Sequence, residues 1–161
     1  MANLAHVHKT VHQEWQARGE PTDIAIQVFA SRFQWNRDRW TKGEHPIWLQ
    51  KAEYPFDSSV KKMSVIFAKE EGPDKGKEMI FTKGAVERVL ESCTSVQWVG
   101  DSGVIPLDDT VQTEILENME ALATLGLRVL ALACREHRPG PMNDEGGPLR
   151  EEVEKDLTLC G

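Results

Sequence analysis

Two β-rich runs, Met63 to Ala68 and Met79 to Thr82, flank a charged segment from Glu70 to Lys77 that holds Gly72, Pro73 and Gly76. Strand formers on both sides of a glycine and proline break predict a hairpin with a longer loop. A hairpin commits its two strands to antiparallel pairing, which restricts the sheet built around it. Val96 to Val99 and Val104 to Leu107 repeat the pattern around Gly100-Asp101-Ser102-Gly103. Ile47 to Tyr54 reads as a strand that ends at Pro55. Leu127 to Cys134 is nearly all apolar, with Arg128 as its one charge, and reads as a buried central strand.

Helical signals alternate with these runs. Pro21 opens a helix over Thr22 to Phe33, with Ile24, Ala25, Val28 and Phe29 on one face. Trp35 to Trp40 reads as a short helix or turn, and Ala85 to Ser92 as a short helix. Asp108 or Asp109 caps the longest helix, whose apolar face is Val111, Ile115, Met119, Leu122 and Ala123 and which Gly126 stops. The stretch from Arg138 to Gly147, with two prolines and three glycines, reads as a loop. Glu151 to Asp156 reads as one charged helical turn. Hairpin-linked strands with interleaved helices define an α+β fold with a mainly antiparallel sheet.

Bulk properties exclude several function classes. The 161 residues suit one domain with one core. A net charge of −7, from 19 basic and 26 acidic residues, argues against general nucleic-acid binding and against a polybasic membrane surface. No apolar run approaches the roughly 20 residues that span a bilayer, and Met1 to Lys9 has no apolar signal core. Cys93, Cys134 and Cys160 form no CxxC pair, so they read as buried, reduced thiols.

No P-loop, GxGxxG, HExxH or GxSxG signature occurs, so turnover by this chain alone is unsupported and no catalytic residue is assigned. His8 and His12 would share a helical face, but no acid or cysteine nearby completes a ligand set, so a solvated, frayed helix is expected and no metal site. The five tryptophans are spread out and read as packing residues. Three stretches remain. Tyr54-Pro55-Phe56 leaves a strand at a proline corner, with Lys61 five residues after the phenylalanine. Lys83 ends an apolar strand just before Gly84, which permits close approach. Arg128, if inside an apolar strand, needs a carboxylate partner or an anion. Phe56 could equally be plain core, and Lys61 and Lys83 solvated. Together, however, they supply an aromatic face, two ammonium groups and a guanidinium, which suit a base and a polyphosphate.

Four segments occur in a family order: Gly19-Glu20-Pro21-Thr22-Asp23, Phe56 through Ser64, Lys83-Gly84-Ala85, and Gly126 through Ala131. With them the chain resembles the nucleotide-binding domain of P-type cation-transporting ATPases over nearly its whole length. Gly19 to Phe33 and Tyr54 to Ser64 look most like fungal type IID sodium or potassium pumps. The resemblance implies a twisted, mainly antiparallel sheet with helices packed on both sides. It implies that residues 1–161 are a single domain excised from a larger membrane pump, with Met1 an added start. The tail from Lys155 to Gly161 would lead back to the phosphorylation domain.

The resemblance also implies an ATP site. Phe56 would stack on adenine, Lys83 would line the pocket and Lys61 its edge, and Arg128 would reach the phosphates. Asp23 would face the adenine amino group, Gly84 and Ala85 would form a wall, and Met63 and Leu130 would complete an apolar slot. Asp23 stands where the family often has Glu, and Ser58 where calcium pumps often have arginine, so modest affinity is expected. Mg2+ would enter only through ATP and the phosphorylation domain. The partners would be ATP and the phosphorylation and actuator domains of the same parent chain, on the cytoplasmic side of a membrane, the plasma membrane being expected. The domain would touch neither nucleic acid nor membrane directly, and would be a monomer in isolation. A protein-interaction module without nucleotide function is the competing reading.

Overall fold

A computed structural model of the chain describes residues 5–35, 37–42, 44–97, 103–138, 140–142 and 147–161. It divides into two compact units, Met1–Leu49 with Lys69–Gly76, and Gln50–Ala68 with Lys77–Gly161.

The first unit begins with a two-stranded antiparallel hairpin, β1 (His6–Lys9) and β2 (Trp15–Arg18). The expected frayed helix around the histidines is therefore a strand pair. His6 and His8 share one face of β1, while His12 falls in the turn, so the helical i, i+4 relation between His8 and His12 does not arise. The Lys9 ammonium lies 5.2 Å from the centre of the exposed Trp15 ring. Helix α1 (Pro21–Arg32) starts with proline at its first turn, where the missing N–H costs nothing. Its expected apolar face is largely solvent-facing, because Ala25, Val28 and Phe29 are exposed. The helix instead turns Asp23 and Gln27 inward, and the Gln27 amide donates to the Ala5 carbonyl at 3.1 Å. A short helix, α2 (Arg37–Thr41), follows.

The second unit is built on a seven-stranded sheet. Its strands are β3 (Trp48–Asp57), β4 (Lys62–Lys69), β5 (Glu78–Gly84), β6 (Cys93–Gln97), β7 (Val104–Pro106), β8 (Ala131–Glu136) and β9 (Leu157–Leu159), in the order β3-β4-β5-β8-β9-β6-β7. Both hairpins predicted from the sequence form, β4 with β5 and β6 with β7, and the turn of the second lies outside the described residues. β3 runs through Pro55 rather than ending there. It is an edge strand, where a proline need not donate to a neighbour. The tail does become a strand, but β9 inserts between β8 and β6, pairing antiparallel with β8 and parallel with β6.

Helices α3 (Val86–Leu90), α4 (Asp109–Thr124) and α5 (Arg150–Val153) complete this unit. The Asp108 carboxylate caps α4, accepting from the Val111 N–H at 2.9 Å. Gly126, at φ 77°, ends the helix in the left-handed region. Ile66, Ile80, Ala131 and Ala133 of the sheet, Val86, Val89 and Leu90 of α3, and Val153, Leu157 and Leu159 form the core, with Val111, Ile115 and Met119 of α4 packed on it.

One polar cluster lies inside this face. Ser64 and Thr82, opposite each other on β4 and β5, are fully buried and share a hydrogen bond of 2.8 Å. Ser64 also donates to the Glu154 carboxylate at 2.8 Å. Arg150 donates to Glu154 at 3.0 Å, and the Lys62 ammonium lies 3.5 Å from it. Glu154 is 7% exposed, so its carboxylate oxygens are met by these partners and hardly by water. Glu154→Ala should cost about 3–5 kcal/mol in urea unfolding, because it strands buried cations and hydroxyls. Lys42→Ala, which removes an exposed ion pair with Asp38 at 2.9 Å, should cost less than about 1 kcal/mol.

Candidate functional site

Strand register brings most of the singled-out residues to one end of the seven-stranded sheet. β3 ends at Phe56–Asp57 and the chain reverses before β4 begins at Lys62. In that reversal the Asp57 carboxylate accepts from the Ser59 hydroxyl at 2.6 Å and from its N–H at 2.8 Å. These two bonds, the hydroxyl's first, hold the Asp57 pKa below the usual carboxylate range. Lys61 adopts φ 52°, and its N–H donates to the Asp57 carbonyl at 2.7 Å. Gly84, the last residue of β5, stands opposite Lys62 on one side and Ala131, the first residue of β8, on the other.

Phe56 is 63% exposed, which removes the plain-core reading. Lys83 is the reverse: at 7% exposure it is not a solvated lysine. It stands directly between Met63 of β4 and Leu132 of β8, and strand alternation puts all three side chains on one face. Met63 is buried at 3%. Lys61 is exposed, and its carbonyl accepts from the Ala85 N–H at 3.1 Å. Ala85 is the half-buried N-cap residue of α3.

One expectation needs correction. Arg128 is not inside a buried strand: residues 127–130 are irregular, Leu127 and Arg128 are exposed, and β8 begins only at Ala131. Residues 127–130 follow directly on the glycine that terminates α4, so the apolar run first has to return to the sheet. Leu130 is half-buried and lines an apolar cavity of about 440 Å³ with Val96, Ile115, Met119 and Leu159. Asp23 belongs to the first unit and is buried there.

Of the close approaches that Gly84 was expected to permit, the one found is that of the protein's own backbone. A Cβ there would collide with the Lys61 carbonyl oxygen and sit 3.1 Å from the Lys62 Cα. The glycine lets the β3–β4 turn close against β5. It therefore shapes the site through the protein's own backbone.

Arg150 was missed in the sequence, where it stands just before the charged turn read over Glu151 to Asp156. Its guanidinium donates to the Lys62 carbonyl at 2.7 Å and to the Pro55 carbonyl at 3.3 Å, and lies 3.8 Å from the Asp57 carboxylate. It thus clamps both strands that flank the turn behind Phe56. No local pattern reveals this, since the partners lie 88 and 95 positions away. Tyr54 adds a second long tie, its hydroxyl donating to the Pro148 carbonyl at 2.7 Å. Burial first, then the Glu154 charge, raises the Tyr54 pKa.

Among the described residues no group of three or more histidine, cysteine or acidic side chains could hold a metal ion. No described helix is long and apolar enough to cross a membrane.

Residues 1–161 match the family model described as P-type ATPase, cytoplasmic domain N, and the chain belongs to that family. It is 38% identical over 84% of its length to the sodium/potassium exporting P-type ATPase cta3 of Schizosaccharomyces pombe, covering 12% of that protein. It is 33% identical over its full length to sodium/potassium exporting P-type ATPase 1 of Saccharomyces cerevisiae, covering 17% of it. It is 33% identical over 99% of its length to calcium-transporting ATPase 1 of Bacillus cereus, covering 18% of it. The chain thus spans less than a fifth of the length of these relatives.

Gly84→Ala should destabilise the domain by about 1–3 kcal/mol, the cost of forcing an extra methyl into a filled space. The midpoint of urea unfolding checks this, and an unchanged midpoint would mean the turn can retreat.

Proposed function

We propose that this domain binds ATP at the sheet end formed by the β3–β4 turn, the end of β5 and the segment before β8. One observation carries the reading: an exposed aromatic ring, Phe56, and a lysine held at 7% exposure, Lys83, stand at the same sheet end as Lys61 and Gly84. A phenylalanine ring left open to solvent on a clamped turn is suited to stack on adenine. Lys83 and Lys61 would carry positive charge toward the nucleotide, and Arg128, exposed just before β8, would reach the phosphates. Met63 would contribute apolar wall beside Lys83, with Gly84 and Ala85 closing the end and Leu130 at the margin. The net charge of −7 makes these local cations the necessary attraction for a polyphosphate.

In the parent pump the domain would hold the adenosine end and present the γ-phosphate to an aspartate on a separate phosphorylation domain. Mg2+ would arrive with ATP and be completed by that domain. The names of the fungal relatives favour sodium or potassium export as the parent's transport activity.

Titration with ATP, followed by NMR or tryptophan fluorescence, should give saturable binding with little dependence on magnesium. Phe56→Ala should weaken it by about 1–3 kcal/mol, roughly 5- to 150-fold. No binding at high millimolar ATP would overturn the reading and favour a protein-interaction module. The isolated chain should release phosphate from ATP no faster than buffer, and clear turnover would show a catalytic site that the proposal lacks.

A further inference from the structure

The three cysteines are not three equivalent buried thiols. Cys93 is partly buried after α3, and its thiol donates to the Val89 carbonyl at 3.2 Å. Cys134 in β8 and Cys160 just past β9 stand with their Sγ atoms 3.3 Å apart. They are 26 positions apart in sequence, and Cys160 is exposed.

The backbone explains the meeting. Cys134 pairs with Thr158 in the β8–β9 ladder, so Cys160 lies diagonally across from it on the same face. At the next step the ladder is irregular. The Cys160 N–H donates to the Leu132 carbonyl at 2.8 Å, while the Leu132 N–H donates to the Gly161 carbonyl at 2.6 Å. Two residues of one strand therefore oppose one of the other, which is a β-bulge. A bulge increases local twist and re-aims side chains, here turning Cys160 toward Cys134.

We propose that Cys134 and Cys160 form a peroxide-responsive dithiol that closes reversibly to an intrachain disulfide. Cys134 is the attacking sulfur. Its thiol is lowered to about 7, chiefly because the Cys160 S–H donates to its thiolate, with burial opposing. The same contact pushes the Cys160 thiol up, keeping it the proton-bearing partner. Cys93 is pushed up to about 11, mainly by burial, and stays unreactive.

The Cys134 thiolate attacks hydrogen peroxide and the O–O bond breaks. Cys134 becomes a sulfenic acid, and the departing hydroxide takes a proton to become water. The Cys160 sulfur then attacks the Cys134 sulfur. The S–S bond forms as the S–O bond breaks, and the released hydroxide leaves as water with the Cys160 proton. Two thiols are oxidised and one peroxide is reduced to two waters. A small thiol such as glutathione reverses the bond by exchange. Cytosolic disulfides are usually transient and redox-sensing, which fits a family described as a cytoplasmic domain. The proposal does not depend on nucleotide binding.

The test treats the whole chain with hydrogen peroxide, counts free thiols and maps linked peptides by mass. The free-thiol count should fall from three to one, with Cys134 joined to Cys160, and dithiothreitol should restore it. Cys93→Ser should still form the link. With iodoacetamide, Cys134 should react roughly threefold faster at pH 7 than an ordinary thiol, its greater thiolate fraction outweighing its lower nucleophilicity. Its alkylation should rise through pH about 7, and Cys160→Ala should move that midpoint upward. Three free thiols after peroxide that fully oxidises free glutathione, or a link to Cys93, would overturn the proposal. The mapping on unmutated protein decides it even if a variant misfolds.

Discussion

The buried Glu154 carboxylate holds the second unit's sheet end together. It sits at 7% exposure and accepts from Ser64 and Arg150, with Lys62 close by. A lone carboxylate at such a position would be costly to ionise. Surrounding it with donors from β4 and α5 turns that cost into a constraint. Glu154 is the C-cap residue of α5, so its contacts with Ser64 and Lys62 of β4 seat that helix where Arg150 meets the Pro55 and Lys62 carbonyls. The turn carrying Phe56 is thereby tied to a helix near the other end of the chain.

The sheet's two faces differ in what they carry. Residues facing α3, α4 and α5 are apolar or consumed in the Glu154 cluster. Met63, Lys83, Leu132 and Cys134 alternate onto the opposite face. A lysine ordered there keeps its charge at a fixed place, whereas an exposed lysine spreads it over many rotamers. Phe56 complements it in the opposite way, being open to solvent on a backbone that is held. An adenine ring needs an accessible face, and a phosphate chain needs cations that are already positioned.

β9 links the remaining features. By inserting between β8 and β6 it brings the end of the chain into the middle of the sheet, where Leu157 and Leu159 join the core. Past Leu159 the pairing with β8 continues irregularly, through the Cys160 N–H and the Gly161 carbonyl on Leu132. The two thiols meet beside that irregularity, closer than regular diagonal neighbours would stand.

The hairpins, the α4 cap at Asp108 and the stop at Gly126 were legible in the sequence because each is decided within a few residues by turn chemistry and strand propensity. So was the order of the family motifs, and with it the family. The errors arose where a local pattern admitted two tertiary outcomes. Pro55 stays in its strand because β3 is an edge, Arg128 is exposed because β8 starts three residues later, and α1 turns Gln27 rather than Phe29 inward. The sequence by itself determined most strands and helices of the second unit and which side chains carry charge or rings, but not the β1–β2 pair or the start of β8. Only the tertiary structure decided strand order, the insertion of β9, the clamp of Arg150 and the pairing of Cys134 with Cys160. Those depend on contacts between residues tens of positions apart, and no periodicity of 2 or 3.6 encodes such a distance.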